Sequence, residues 1–89
     1  MTMKKNVFEA GNLIFVKNAM GAPVWNVEYF SGGAWLEYQR PHWFQTKETL
    51  PSGKPVVFLE TCKQESLGRI FLKIIGPNGI CYVRKEAFL

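Results

Sequence analysis

Aromatic side chains are concentrated between residues 35 and 44, where they could supply a binding surface. This stretch holds four aromatic rings together with one arginine and one histidine. Trp, Tyr and Arg are enriched at binding hot spots because each combines a large contact area with a polar group. The stretch therefore predicts a surface for a protein partner, and its candidate residues are Trp35, Tyr38, Arg40, His42, Trp43 and Phe44. The alternative for any one of these rings is a place in the core.

A second set of aromatic and basic residues occurs near the C-terminus. Strand-like alternation would place Phe71, Lys73, Tyr82 and Arg84 together on one face of a hairpin, with Lys85 next in the chain. Proteins that bind single-stranded nucleic acid use such a face, because rings stack on bases while cations meet phosphates. The candidates for nucleic-acid binding are Phe71, Lys73, Tyr82, Arg84 and Lys85. The alternative is ordinary cross-strand packing, with the cations reaching past the rings to solvent.

Residue types that carry catalysis are scarce in this chain. Asp is absent, all seven acidic residues are Glu, and His42 is the single histidine. No nucleophile motif or phosphate-binding loop is present, so we expect a protein with no catalytic residues. Cys62 and Cys81 do not have the spacing of metal ligands, and we expect buried thiols in preference to a disulfide. No metal or cofactor is expected.

Length and charge limit the possible partners. The 89 residues suffice for one domain spanning 1–89, in which 1–10 form a frayed lead-in or a short first element. A net charge of +4 favours polyanions or acidic protein surfaces, although scattered basic residues also serve ordinary solubility. No apolar run exceeds four residues, so we expect no signal peptide, no membrane association and a reducing, cytoplasmic setting. Homodimerisation stays open.

The C-terminal part of the chain predicts a β-hairpin. Two apolar runs, 70–75 and 80–84, flank the turn sequence Gly-Pro-Asn-Gly. The apolar pattern favours a register with Ile75 opposite Ile80, because a shift by one residue would move an apolar face to solvent. That register places one purely apolar set on a single face: Ile70, Leu72, Ile74, Cys81 and Val83.

Similar patterns of short apolar runs and glycine-containing turns occur along the rest of the chain. Further strands are predicted at 13–16, 24–30, 35–39 and 56–59, with turns at 31–33 and 63–68. Residues 42–49 are interpreted as a short helix or an irregular arm. The prediction is an all-β domain with at most one short helix: a small antiparallel SH3-like barrel or a strongly bent sheet of about five or six strands.

The closing segment, residues 79–89, resembles the end of bacterial SH3-like modules. In those modules a glycine and an aromatic-valine pair precede a short turn and a final aromatic-leucine pair. The spacing from Val83 to Phe88 departs from that pattern by one residue. Segment 31–35 and Cys81-Tyr82 are similar to plasmid-borne SH3-like dihydrofolate reductases, but the Val-Gln-Ile-Tyr active-site motif of that family is replaced by Gly-Ile-Cys-Tyr at 79–82. The resemblance implies an SH3-like fold and no activity.

The sequence favours a non-enzymatic binding module that presents an aromatic and basic surface to a protein partner. An accessory or inhibitor protein of a mobile element would suit this small size. Nucleic-acid binding through the C-terminal hairpin is the first alternative. Binding of a small ligand in a groove lined by tryptophans is the second.

Overall fold

A computed structural model describes residues 8–31, 39–64 and 67–89 of the chain. Six antiparallel strands form one sheet, and a 3-10 helix, Lys85–Phe88, follows the last strand. The strands are β1 (Leu13–Phe15), β2 (Ala22–Ser31), β3 (Gln39–Leu50), β4 (Pro55–Gln64), β5 (Arg69–Gly76) and β6 (Gly79–Arg84). The all-β prediction and the number of strands are confirmed.

The strand order places β1 and β3 at the two edges of the sheet. Across the sheet the order is β1-β4-β5-β6-β2-β3. Since no pairing joins β1 to β3 among the described strands, the sheet is open and not closed into the predicted barrel. An open antiparallel sheet keeps two strand edges whose outer backbone groups lack a neighbouring strand.

The C-terminal hairpin has the predicted register. Ile75 lies opposite Ile80, and Leu72 lies opposite Val83. Leu72, Ile74 and Val83 are completely buried, which shows that the purely apolar face was assigned correctly. We call this side of the sheet the core face and the opposite side the second face.

Residues 42–49 lie within strand β3, so their interpretation as a helix or an irregular arm is wrong. The pairing register between β2 and β3 shifts between Pro23 and Trp25. Residues 46–48 bulge there, and the Thr46 hydroxyl donates a hydrogen bond of 2.9 Å to the Val24 carbonyl. A bulge interrupts the period-two alternation by which a strand is recognised in a sequence. Rings and threonines nevertheless suit a strand.

Other predicted boundaries shift by a few residues. Strand β4 continues to Gln64, so the predicted turn at 63–68 begins later. Phe8 packs its ring against Phe58 at a centroid distance of 5.6 Å, which attaches this part of the lead-in to the body. The predicted turn at 31–33 and strand at 35–39 lie mostly outside the described residues.

The hydrophobic core lies on the core face and draws on every strand. Phe88 of the 3-10 helix is 3% exposed, so the apolar tail packs on the sheet, while Leu89 stays exposed. The Lys17 amide donates a 2.7 Å hydrogen bond to the Ala87 carbonyl and holds this helix in place. Side chains of the cluster include Ile14, Val16, Val24, Leu50, Val56, Phe58, Leu72, Ile74, Val83 and Phe88.

Gly21 is required where the chain enters β2. Its φ is +83°, and an added Cβ would lie 2.6 Å from the Leu50 carbonyl oxygen. We expect Gly21→Ala to lower the free energy of unfolding by more than the roughly 1–2 kcal/mol that a left-handed backbone costs a residue other than glycine. The matched control is Gly53→Ala, where φ is +80° and an added Cβ meets nothing within 4 Å. Equal urea-unfolding losses in the two variants would contradict the steric explanation.

Candidate functional site

Four aromatic rings pack together on the second face of the sheet. We call Trp25, Trp43, Phe71 and Tyr82 the aromatic cluster. Trp43 stacks on Phe71 at a centroid distance of 4.7 Å and meets Tyr82 edge-on at 5.0 Å. Trp25 contacts the Phe71 ring at 5.2 Å. These contacts join rings from β2, β3, β5 and β6.

The contact between Trp43 and Phe71 shows how the sheet is shaped here. Strands β5 and β3 are three strand spacings apart, which would be about 14 Å in a flat sheet. Rings that stack at 4.7 Å therefore require the β2–β3 ribbon to curl over the second face. This curl brings one residue of each predicted site, Trp43 and Phe71, into contact.

Two of the predicted nucleic-acid contacts are rings that the cluster encloses. Phe71 has no exposed surface, and Tyr82 is 9% exposed. Stacking with a base requires an open ring face, so both rings serve packing in this conformation. The alternative of cross-strand packing therefore describes these two side chains.

Two cations of that set, Lys73 and Arg84, each lie beside a glutamate. The Lys73 ammonium lies 3.6 Å from a carboxylate oxygen of Glu60. The Arg84 guanidinium lies 3.3 Å from the carboxylate of Glu86, and both side chains are well exposed. Exposed ion pairs of this kind are weak and can exchange partners. Lys85 is half-buried at the start of the 3-10 helix.

Along its outer side, strand β3 has no neighbouring strand among the described residues, so its backbone groups there form an open edge. The Val24 carbonyl points toward β3, since it accepts the Thr46 hydroxyl. Backbone groups alternate in direction along a strand, so the N–H and C=O groups of Trp25 point away from β3, and those of its partner Gln45 point away from β2. By the same alternation, the backbone groups of Trp43 and the nitrogen of Pro41 also face away from β2. Pro41 agrees with these backbone directions, because a proline in a sheet is tolerated where its nitrogen faces an open edge.

Side chains flank this edge on both faces of the sheet. His42 is exposed and stacks with the half-buried Phe44 at a ring distance of 6.0 Å. The side chain of Trp43 lies on the opposite face, within the aromatic cluster. The outer side of β3 therefore combines outward N–H groups with an aromatic pair, and we call this combination the β3 edge.

The remaining predicted partner-binding residues are placed only in part. Arg40 belongs to β3 and pairs with Phe30 through the backbone. Trp35 and Tyr38 lie outside the described residues. Sequence reasoning did not include Trp25 in either site, although Trp25 lies in the strand predicted at 24–30. It also missed Arg69, whose guanidinium carbon lies 6.0 Å from the centre of the Trp25 ring.

Neither cysteine is activated as a nucleophile. Burial raises the pKa of the Cys62 thiol, and the carboxylate of Glu60 adds to the rise. Burial likewise raises the pKa of Cys81, with a further contribution from Glu48. Both thiols are free, with Cys62 on the second face and Cys81 on the core face. A raised pKa leaves little thiolate at neutral pH, so covalent chemistry at these positions is disfavoured.

Comparisons with known proteins add no family to this picture. No protein-family model matches the chain, and no curated protein or solved structure shows significant similarity to it. Within the described ranges, no three side chains of the His, Cys, Asp and Glu types come together as a metal site. Among the same residues, no helix has the length and apolar character needed to cross a membrane.

The aromatic cluster should make a large contribution to stability. We expect Phe71→Ala to lower the free energy of unfolding by about 3–5 kcal/mol, the usual cost of removing a buried ring. Phe15→Ala is the matched control, since the Phe15 side chain is 48% exposed at the edge strand β1. Urea unfolding followed by circular dichroism measures both losses. A larger loss in the control would contradict the role given to the cluster.

The direction of the backbone groups in β3 predicts an alternating pattern of amide exchange. The amides of His42 and Phe44 should exchange slowly, because they face β2 and are hydrogen-bonded there. The amides of Trp43 and Gln45 should exchange quickly, because they face the open edge. Hydrogen exchange followed by two-dimensional NMR resolves the four positions. The reverse pattern would show that the directions assigned to the backbone groups of β3 are wrong.

Proposed function

We propose that this protein is a non-enzymatic binding module that captures an extended segment of a protein partner on its β3 edge. The observation that carries the proposal is the place of β3: a twelve-residue strand at the end of the sheet, with one neighbour in the described part of the chain. A partner segment would add a seventh strand through backbone hydrogen bonds, which is a recurrent mode of peptide recognition.

Side chains beside the edge would supply specificity. A strand laid against β3 directs its side chains alternately to the two faces of the sheet. On one face they would meet His42 and Phe44, and on the other they would meet the part of Trp43 that the cluster leaves accessible. We therefore expect a partner segment with apolar or aromatic residues at every second position. Trp35, Tyr38 and Arg40 belong to the same proposal through their place in the chain.

The exposure of the rings beside this edge agrees with strand addition. His42 is exposed and Phe44 is half-buried, so a partner side chain would meet them at the surface of the sheet. Affinity would then come chiefly from main-chain hydrogen bonds, which tolerate variation in the partner sequence. A small accessory or inhibitor protein that covers an edge strand of its target would need no further machinery.

A proline substitution at the edge tests the proposal. Gln45→Pro removes an outward N–H group without removing a hydrogen bond to β2, whereas Gln45→Thr keeps the group and suits a strand. Peptides selected from a random phage-displayed library on the immobilised protein provide the probe. We expect them to bind the proline variant about tenfold more weakly, the effect of one lost and unreplaced hydrogen bond, and to bind the threonine variant normally.

Two results would contradict strand addition at this edge. One is equal affinity of the selected peptides for the proline and threonine variants. The other is bound peptide that leaves the Trp43 and Gln45 amides in fast exchange. Thermal unfolding of both variants controls for a general loss of structure, because an edge proline at an outward nitrogen should disturb the sheet little.

A further inference from the structure

A basic groove lies beside the 3-10 helix, away from the β3 edge. Its volume is about 530 Å³, and it runs between the β4–β5 turn and the end of β6. Three cations and one carboxylate line it: Arg69, Arg84, Lys85 and Glu86. Three positive charges against one negative charge leave the groove with a side-chain charge of +2. A concentration of one sign of charge in a groove attracts ligands of the opposite sign.

A second hollow adjoins the groove at Arg84. This hollow has a volume of about 270 Å³ and shares Arg84 and Glu86 with the first. Trp25 and Pro23 line its other side. The two hollows adjoin at Arg84 and Glu86, and together we call them the channel. Apolar lining comes from Leu67 and Ile70 in the groove and from Trp25 in the second hollow.

Arg69 is held in a position suited to binding an anion. Its guanidinium group lies over the Trp25 ring at 6.0 Å, an arrangement that stabilises the cation and orients its plane. A guanidinium group held through its face still has N–H groups along its edge for an incoming oxyanion. Less conformational entropy is lost when such an oriented side chain binds.

Arg84 is restrained by a carboxylate that an anionic ligand can replace. Its guanidinium nitrogen lies 3.3 Å from a Glu86 oxygen, and the two side chains are 45% and 65% exposed. An exposed pair of this kind contributes little stability, so exchange of Glu86 for a ligand oxyanion costs little. Glu86 then competes with the ligand, and its removal should strengthen binding.

We propose that this channel binds the phosphate backbone of a single-stranded nucleic acid. Two adjoining hollows offer an extended polymer more contacts than a compact molecule. The three cations match phosphate groups, while Leu67, Ile70 and Trp25 offer apolar surface for unstacked bases. This site differs from the C-terminal hairpin face predicted from the sequence: it keeps Arg84 and Lys85, excludes the buried rings of Phe71 and Tyr82, and adds Arg69.

Fluorescence anisotropy of a short fluorescein-labelled oligothymidylate, titrated with protein at several salt concentrations, tests the proposal. We expect Arg69→Gln and Arg84→Gln each to weaken binding severalfold. Each should also reduce the slope of log affinity against log salt by about 0.7, the value for one phosphate contact on a single strand. Lys54→Gln is the matched control, because it removes one exposed positive charge outside the channel and should leave this slope unchanged.

A variant with the opposite expected sign sharpens the test. Glu86→Gln should tighten binding of the oligonucleotide, since it removes the competing carboxylate from Arg84. If Arg69→Gln fails to fold, as circular dichroism would show, Lys85→Gln replaces it with the same expected loss. Lys85→Gln should leave capture of the selected peptides intact, because Lys85 lines the groove and lies outside the β3 edge, so failure here and failure of strand capture can be told apart.

Several outcomes would overturn the proposal. The first is the absence of an anisotropy change at low salt. The second is a loss of oligonucleotide affinity in Lys54→Gln as large as that in Arg84→Gln, which would attribute the binding to net charge alone. The third is displacement of the oligonucleotide by poly-L-glutamate at an equal concentration of charge, which would make the channel a site for acidic polypeptides instead.

Discussion

Burial of the central strands on both faces is the constraint on which this small sheet depends. A chain of 89 residues can remove only a limited area of apolar surface from water. Strands β5 and β6 bury Leu72, Ile74 and Val83 on the core face, and the β2–β3 ribbon covers Phe71 on the other face. A second packed layer is thus made from the same sheet, and among the described residues no helix or second sheet covers that face.

Because the aromatic rings pack against one another, the proposed binding surfaces lie at the edges of the sheet. Trp43, Phe71 and Tyr82 hold the sheet together, so they are enclosed or partly enclosed and cannot all face a ligand. Backbone groups remain available at the outer side of β3, and cations remain available in the channel near the 3-10 helix. The groove that holds Arg69 and Lys85 shares no residue with the β3 edge, whereas the second hollow is lined in part by Gln45 of that edge.

Charge and thiol chemistry both favour noncovalent binding. The pKa values of Cys62 and Cys81 are raised by burial, so the thiols stay protonated at neutral pH. Arg84 and Lys73 each have an exposed glutamate as partner, and exposed ion pairs of this kind exchange partners readily. Arg84 is the more accessible of the two cations, since its side chain is 45% exposed and that of Lys73 is 29% exposed.

Local sequence determined the C-terminal hairpin, because its turn, alternation and register involve residues close together in the chain. The same reasoning failed for residues 42–49, where the bulge opposite Val24 interrupts the strand period. It also could not foresee the stacking of Trp43 on Phe71, since both rings suit a core, a surface or an interface equally well. Only the tertiary structure decided that β3 would be an edge strand and that Arg69 would reach Trp25, because strand order and ribbon curl arise from contacts between distant segments.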